Sequence, residues 1–278
     1  MLQQTRVAAV IEHYHSFLKR FPTIEKLAAA RQSSVLAAWS GLGYYRRARM
    51  LHAAAKQIVR EHSGRFPDSA ESLRKIPGIG RYTAAAVASI SFAEPVAVVD
   101  GNVERVLQRL EGKRLEKEEV WQGAQELLNP QRPGDFNQAV MELGATVCLP
   151  RQPKCMFCPV AKFCATRGEL PQKSATTPQK KREIHYALHR KNGSVLLVQR
   201  PADSSLMPGM WELPEIQPGS ADFSFSLRHS ITVTDYFVRV VEPEAAERPI
   251  GQWVQRTRLP NMPLTGLAKK ILRTAKVI

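Results

Sequence analysis

The sequence predicts a multidomain protein: an all-α domain closed by a four-cysteine loop, then a small α+β domain. Three observations predict it. Apolar residues recur near a period of 3.6 up to about residue 147, with almost no β-branched alternation. The only 4 cysteines of the 278 residues then fall in one stretch. Beyond a polar, basic, Pro-containing segment the period shortens to two.

The elements follow in order. Val7, Ile11, Tyr14 and Leu18 recur at helical spacing, and Pro22 ends that helix. Leu27 to Trp39 reads as two short helices, and Arg46 to Arg60 as an Ala-rich, basic one. Helices are expected at Ser69–Lys75, Tyr82–Phe92, Val103–Leu110, Glu118–Leu128 and Phe136–Val147. The expected division is a helical domain over 1–166 with its cysteine loop at 148–164, a linker over 167–182, and a second domain over 183–278. In the second domain Tyr186–Leu188, Val195–Gln199, Ser230–Val241 and Gly251–Gln255 alternate like strands, and Leu264–Ala275 reads as a terminal helix.

Charge narrows the partners. Lys+Arg number 40 against 25 Asp+Glu, a formal net charge of +15. That balance favours a polyanion, because each neutralised phosphate releases counterions. An anionic membrane surface is the rival, but it calls for a long basic amphipathic helix, and none is legible. No secretory signal or membrane-spanning apolar run is read, so a reducing, cytoplasmic and nucleoid-associated setting is expected.

Cys148, Cys155, Cys158 and Cys164 form a C-x6-C-x2-C-x5-C run. Four thiolates in one compact loop set suit a [4Fe–4S] cube, with one ligand per iron. Zinc also takes four thiolates, but usually from two separated C-x2-C pairs, and here one pair exists. A disulfide pair is the third option, and the expected reducing setting weighs against it.

Ile76-Pro77-Gly78-Ile79-Gly80 lies between two predicted helices. Gly78 and Gly80 allow a tight turn and a close approach of backbone N–H groups to a phosphate. The next helix points its positive end at the same place. The pattern is a helix-hairpin-helix, and an ordinary interhelical turn is the alternative.

Taken together, the hairpin, the following Asp100 and the cysteine run resemble the endonuclease III superfamily of DNA glycosylases, and within it the MutY-type adenine glycosylases. The strings that carry the resemblance are MLQQT (Met1–Thr5), GLGYYRRAR (Gly41–Arg49), IPGIGRYTAAAV (Ile76–Val87), VDGNVERVL (Val99–Leu107) and FNQAVMELGA (Phe136–Ala145). Val198–Arg200, Trp211–Pro214 and His229–Thr232 resemble that family's C-terminal Nudix-like domain. The resemblance implies hydrolysis of the N-glycosidic bond of adenine paired with 8-oxoguanine or guanine in double-stranded DNA. It also implies a [4Fe–4S] cluster. The expectation is a monomer without membrane association.

By the same resemblance, Asp100 stabilises the cationic sugar, although its residue type and place suit an N-cap equally. Tyr82 stands where bifunctional relatives carry a Schiff-base lysine, which implies a monofunctional glycosylase. Asn102 and Gln138 align near the sugar and the flipped adenine, with Glu142 a weaker candidate. Gln4, Leu42 and Tyr44 resemble residues that wedge into the duplex, and Thr5 one near the oxidised guanine. Arg46, Arg47 and Arg49 suit phosphate contacts beside a stacking Tyr44, while Tyr45 reads as core.

The chain also departs from the family. The family's proton-donating glutamate lies two positions before the methionine that is Met1 here. The 278 residues are therefore expected to bind lesion DNA and excise slowly, or to be a catalytically impaired lesion-binding form. A missing helix there would expose apolar surface. No glutamate-rich magnesium helix follows Pro214, so the second domain should recognise rather than hydrolyse. Thr232 keeps a hydroxyl in the lesion-reading loop, but Val233 stands where histidine is common. His185, His189 and His229 otherwise read as surface or core histidines.

Overall fold

The computed structural model describes residues 1, 7–170, 180–217, 223–231, 234–243 and 250–278. Gln4, Thr5, Thr232 and Val233 lie outside the described residues. Among the described residues, nine helices precede the cysteines: α1 (Val7–Arg20), α2 (Ile24–Ala29), α3 (Gln32–Trp39), α4 (Tyr45–His62), α5 (Ala70–Leu73), α6 (Arg81–Phe92), α7 (Gly101–Glu111), α8 (Lys117–Leu127) and α9 (Pro133–Thr146). Local chemistry sets their ends. Asp100 caps α7 and Gly112 closes it in the left-handed region at φ 71°. Pro133 opens α9, where its missing N–H costs nothing.

The chain forms two compact units: Met1–Lys56 with Ala175–Ile278, and Gln57–Ser174. This differs from the expected boundary at 167–182. The reason is packing: Met210, fully buried, joins Phe17, Leu36, Trp39, Leu42 and Tyr45 in one apolar cluster. Residues far apart in sequence thus share a core. Residues 180–182 of the expected linker are already strand.

In the first unit, α1 buries Val10, Phe17 and Phe21. Ile11, Tyr14 and Leu18, read from the sequence as its periodic face, are exposed. Both sets fit a helical period, and period alone does not fix the phase.

The strands are β1 (Lys180–Ala187), β2 (Arg190–Lys191), β3 (Ser194–Gln199), β4 (Trp211–Glu212), β5 (Glu215–Ile216), β6 (Phe225–Ile231), β7 (Thr234–Val241) and β8 (Gln252–Gln255). One sheet runs β5-β1-β7-β6, with β1 parallel to β7 and the other pairs antiparallel. In the other, β3 pairs with β2, β4 and β8. The single strand expected over 230–241 is a β6–β7 pair, with Ile231 opposite Thr234. Helix α10 (Gly266–Thr274) lays Leu267, Ala268, Ile271 and Leu272 against Val195, Leu197, Val238 and Val240. No helix among the described residues is long and apolar enough to cross a membrane.

In the second unit, α7 buries Val103 and Leu107 against Val120 and Ala124 of α8, with Val140 and Met141 of α9 packed alongside. This places the start of α7 beside α6 and α9, and the end of α7 beside the cysteine loop.

Candidate active site and cysteine centre

Asp100 is delivered by an extended segment that polar side chains hold straight. Buried Asn137 accepts from Val98 N at 3.0 Å and donates to Ser89 Oγ and Val96 O, both at 2.9 Å. Gln125 accepts from Ala97 N at 2.9 Å and donates to Pro95 O at 3.0 Å. Asn137 and Gln125 were not singled out in the sequence. A buried amide looks like any polar helix residue until its backbone partners are known.

Asp100 Oδ1 accepts from Asn102 N and Val103 N, both at 2.8 Å, so the cap is real. Its Oδ2 accepts from Asn102 Nδ2 at 3.1 Å. The capping role and a catalytic one use the same carboxylate, and Asp100 keeps partial solvent access. Tyr82, on α6, points its hydroxyl at Met141 Sδ, 3.9 Å away. Burial, and then the negative charge of Asp100, push the Tyr82 phenol up, so it stays protonated at neutral pH. Asp100, Tyr82, Asn102 and Met141 therefore line one region. Gln138 and Glu142 lie on the exposed part of α9, with Gln138 Nε2 on Gly134 O at 3.1 Å. Gly144 is required by packing, since a Cβ there would stand 2.6 Å from Asn102 Cβ.

Two arginines join this region to the cysteines. Arg105 reaches Asn102 Oδ1 at 2.8 Å, Gly144 O at 2.7 Å and Cys148 O at 2.8 Å. Arg109, one turn on and buried, donates to Cys148 Sγ at 3.2 Å, Leu149 O at 2.7 Å and Pro150 O at 3.0 Å. Both were missed from the sequence, because a charged residue on an amphipathic helix is normally solvated.

All four cysteines line one small cavity, together with Arg109 and Arg167. Two short 3-10 turns, Cys155–Phe157 and Ala161–Phe163, leave Met156, Phe157 and Phe163 on the surface. Arg167 N donates to Cys164 Sγ at 3.4 Å. Among the described residues, no three His, Cys, Asp or Glu side chains converge as the ligands of a single metal ion. A zinc ion needs four sulfurs about 2.3 Å from one point. A cube carries one ligand per iron, so its thiolates can stand farther apart. Four thiols lining one cavity, with a guanidinium and a backbone N–H facing two of the sulfurs, are a donor set that can hold a four-thiolate centre.

The hairpin is formed as expected between α5 and α6. Gly78 takes φ 79°, which favours glycine. Gly80, at φ −86° and ψ 177°, is not strained and caps α6 without a side-chain bond. A Cβ on Gly80 would meet nothing within 4 Å. What glycine provides there is room at a positive helix end. Arg81 faces another way, toward Glu118 Oε2 at 2.7 Å and over the Trp121 ring at 4.0 Å. Gly80→Asp should therefore keep the fold, since Asp is a good N-cap, and on the sequence expectation that the hairpin meets phosphate it should weaken duplex binding about tenfold or more. The slope of affinity against salt should fall by about one phosphate contact. Thermal melting and a salt titration check both; unchanged affinity would remove the hairpin from the DNA surface.

In the first unit, Leu42 is 5% exposed and belongs to the apolar cluster, so it is not presented as a wedge. Tyr44 is 49% exposed, with φ 47°, and Arg47 lies 5.0 Å from its ring centroid. A bulky residue in the left-handed region is an uncommon, costly conformation. Tyr45 is buried, as expected.

Residues 1–130 match the HhH-GPD superfamily of base excision DNA repair proteins. The chain is 39% identical over 271 residues to the adenine DNA glycosylase of Mus musculus, covering 78% of this chain and 52% of that protein. It is 38% identical over 277 residues to that of Arabidopsis thaliana, covering 84% and 44%. The chain thus spans about half the length of the curated relatives it matches. A thermostable thymine-DNA glycosylase superposes with a TM-score of 0.56 at 29% identity, over 60% of this chain and 79% of that one. Endonuclease III in a non-covalent DNA complex gives 0.53 at 25% identity, over 59% and 78%.

Proposed function

We propose that this chain, whose residues 1–130 match the HhH-GPD superfamily of base excision DNA repair proteins, is a monofunctional adenine DNA glycosylase. Its reaction is hydrolysis of the N-glycosidic bond of adenine mispaired with 8-oxoguanine or guanine. The observation that carries the reading is the Asp100–Asn102–Tyr82 constellation. A carboxylate beside a protonated phenol, with no lysine at position 82, can stabilise an oxocarbenium-like sugar and cannot form an imine. The relatives named adenine DNA glycosylase support adenine as the leaving base and favour an enzyme over a silent lesion-binding form. The C-terminal region would be the Nudix-like part that recognises 8-oxoguanine, through the stretch His229–Thr232 that carries the resemblance, of which residue 232 lies outside the described residues.

The test is single-turnover incubation with a labelled A:8-oxoguanine duplex, with protein in excess and alkali added last. Free adenine with a strand intact until alkali supports the reading. Release of a pyrimidine, or nicking before alkali, would replace it with a bifunctional enzyme.

Cys148, Cys155, Cys158 and Cys164 would hold a [4Fe–4S] cluster, which supplies cross-linking of the loop rather than hydrolytic chemistry. Anaerobically purified protein should be brown and carry about four irons per chain. Colourless protein with one zinc by elemental analysis would reverse the assignment.

A further inference from the structure

The loop that presents Tyr44 is short, strained and anchored at both feet on one atom. Ser40, just before it, donates through Oγ to Leu264 O at 2.9 Å. Tyr45, just after it, donates through its hydroxyl to the same Leu264 O at 3.2 Å. Four residues arch between these feet, with φ 110° at Gly41, 68° at Gly43 and 47° at Tyr44. Gly41 N donates back to the Tyr45 hydroxyl at 3.4 Å, and Trp39 Nε1 supports the arch on Gly43 O at 3.1 Å. A third tie comes from α10, where Lys269 Nζ donates to Ser40 O at 2.9 Å. Ser40, Tyr45 and Leu264 are all buried, so water offers no substitute for these bonds. Arg49 adds a bond to Pro208 O.

We propose that Ser40, Tyr45 and Lys269 are positioning residues that latch the Tyr44 arch to the C-terminal region, so that this region sets how Tyr44 stacks in DNA. Leu264 is not passively placed. Its parallel bridge to Trp211, with Trp211 N donating to Pro263 O at 2.8 Å and Thr265 N to Trp211 O at 2.9 Å, ties it to β4. A shift of that carbonyl moves both feet together, and the left-handed Tyr44 persists only while its surroundings over-determine it. The inference rests on the DNA-repair reading, since it needs Tyr44 to meet a duplex.

A double-mutant cycle tests it. The variants are Tyr44→Ala, Ser40→Ala with Tyr45→Phe, and all three together, with Tyr45→Phe alone as the mildest form. Affinity is measured for A:8-oxoguanine and undamaged duplexes, and a 2-aminopurine beside the lesion reports stacking. Tyr44→Ala should weaken lesion binding about tenfold, within the range of base–aromatic stacking. The latch variant should lose several-fold and dull the 2-aminopurine change. The triple variant should be no weaker than Tyr44→Ala. Losses that multiply, or a latch variant that lowers only the melting temperature, would overturn the latch and leave the repair reading standing. Wild-type protein with no preference for the lesion duplex would overturn both.

Discussion

Asp100→Asn should cut single-turnover adenine excision by at least about 100-fold while leaving the protein folded and bound to DNA. The structure makes this substitution unusually clean. Asn is as good an N-cap as Asp, and its amide oxygen can keep the bonds from Asn102 N and Val103 N. Only the bond between Oδ2 and Asn102 Nδ2 must be lost, at a cost of about 1 kcal/mol. The charge proposed to face the developing sugar cation disappears, and removal of one preorganised electrostatic partner is worth about 10²–10³ in rate. Asp100→Ala provides the contrast. It removes the charge and the cap together, so it should add about 0.5–2 kcal/mol of destabilisation to the same kinetic defect. Excision timecourses beside thermal melts separate the two roles. Wild-type excision by Asp100→Asn would mean that the carboxylate is a cap and nothing more.

How far the sequence could carry this site depends on what each residue does. Asp100, Tyr82 and the four cysteines could be singled out because the chemistry expected of them needs particular residue types at a particular spacing, and the structure gathers the cysteines around one cavity. The helices of the first 147 residues were legible from periodicity, though α1 shows the limit. Ile11–Tyr14–Leu18 and Val10–Phe17–Phe21 are both helical stripes, and only tertiary packing chooses the second. Leu42 is buried for the same reason, since a leucine beside an exposed tyrosine is as suited to a core as to a wedge. The groups that hold the site were not legible. Asn137, Gln125, Arg105 and Arg109 act on backbone carbonyls, N–H groups and one sulfur brought close by folding, and nothing in their local sequence marks them. The short strands β2, β4 and β5 escaped because two residues show no alternation. The β6–β7 pair read as one strand because nothing in the sequence from Ser230 to Val241 interrupts the strand-like pattern.

Arg105→Met is expected to damage the site and the cysteine loop together. Its guanidinium spans Asn102 Oδ1, Gly144 O and Cys148 O, and Nη1 also reaches Gly101 O at 3.1 Å. Met keeps the aliphatic stem but leaves those oxygens unpaired, at about 1–3 kcal/mol for each one that stays buried. Melting should fall by several degrees, since 1 kcal/mol is worth about 2–4 °C in a chain of this size. Excision should fall further than stability requires, measured well below the melting temperature, because Asn102 loses the partner that orients it toward Asp100. Arg105→Lys should not rescue it, since one ammonium cannot span three acceptors in a planar fork. Arg109→Met is the control. Arg109 binds Cys148 Sγ, Leu149 O and Pro150 O. With the proposed cluster in place, its loss should lower iron content and stability while the folded, iron-loaded fraction keeps more of its excision rate. Equal excision per folded molecule in both variants would show that Arg105 serves the loop alone. A slower rate in Arg105→Met at matched iron content would make the start of α7 one mechanical piece, in which the carboxylate proposed to meet the sugar is aimed by the backbone that carries Cys148.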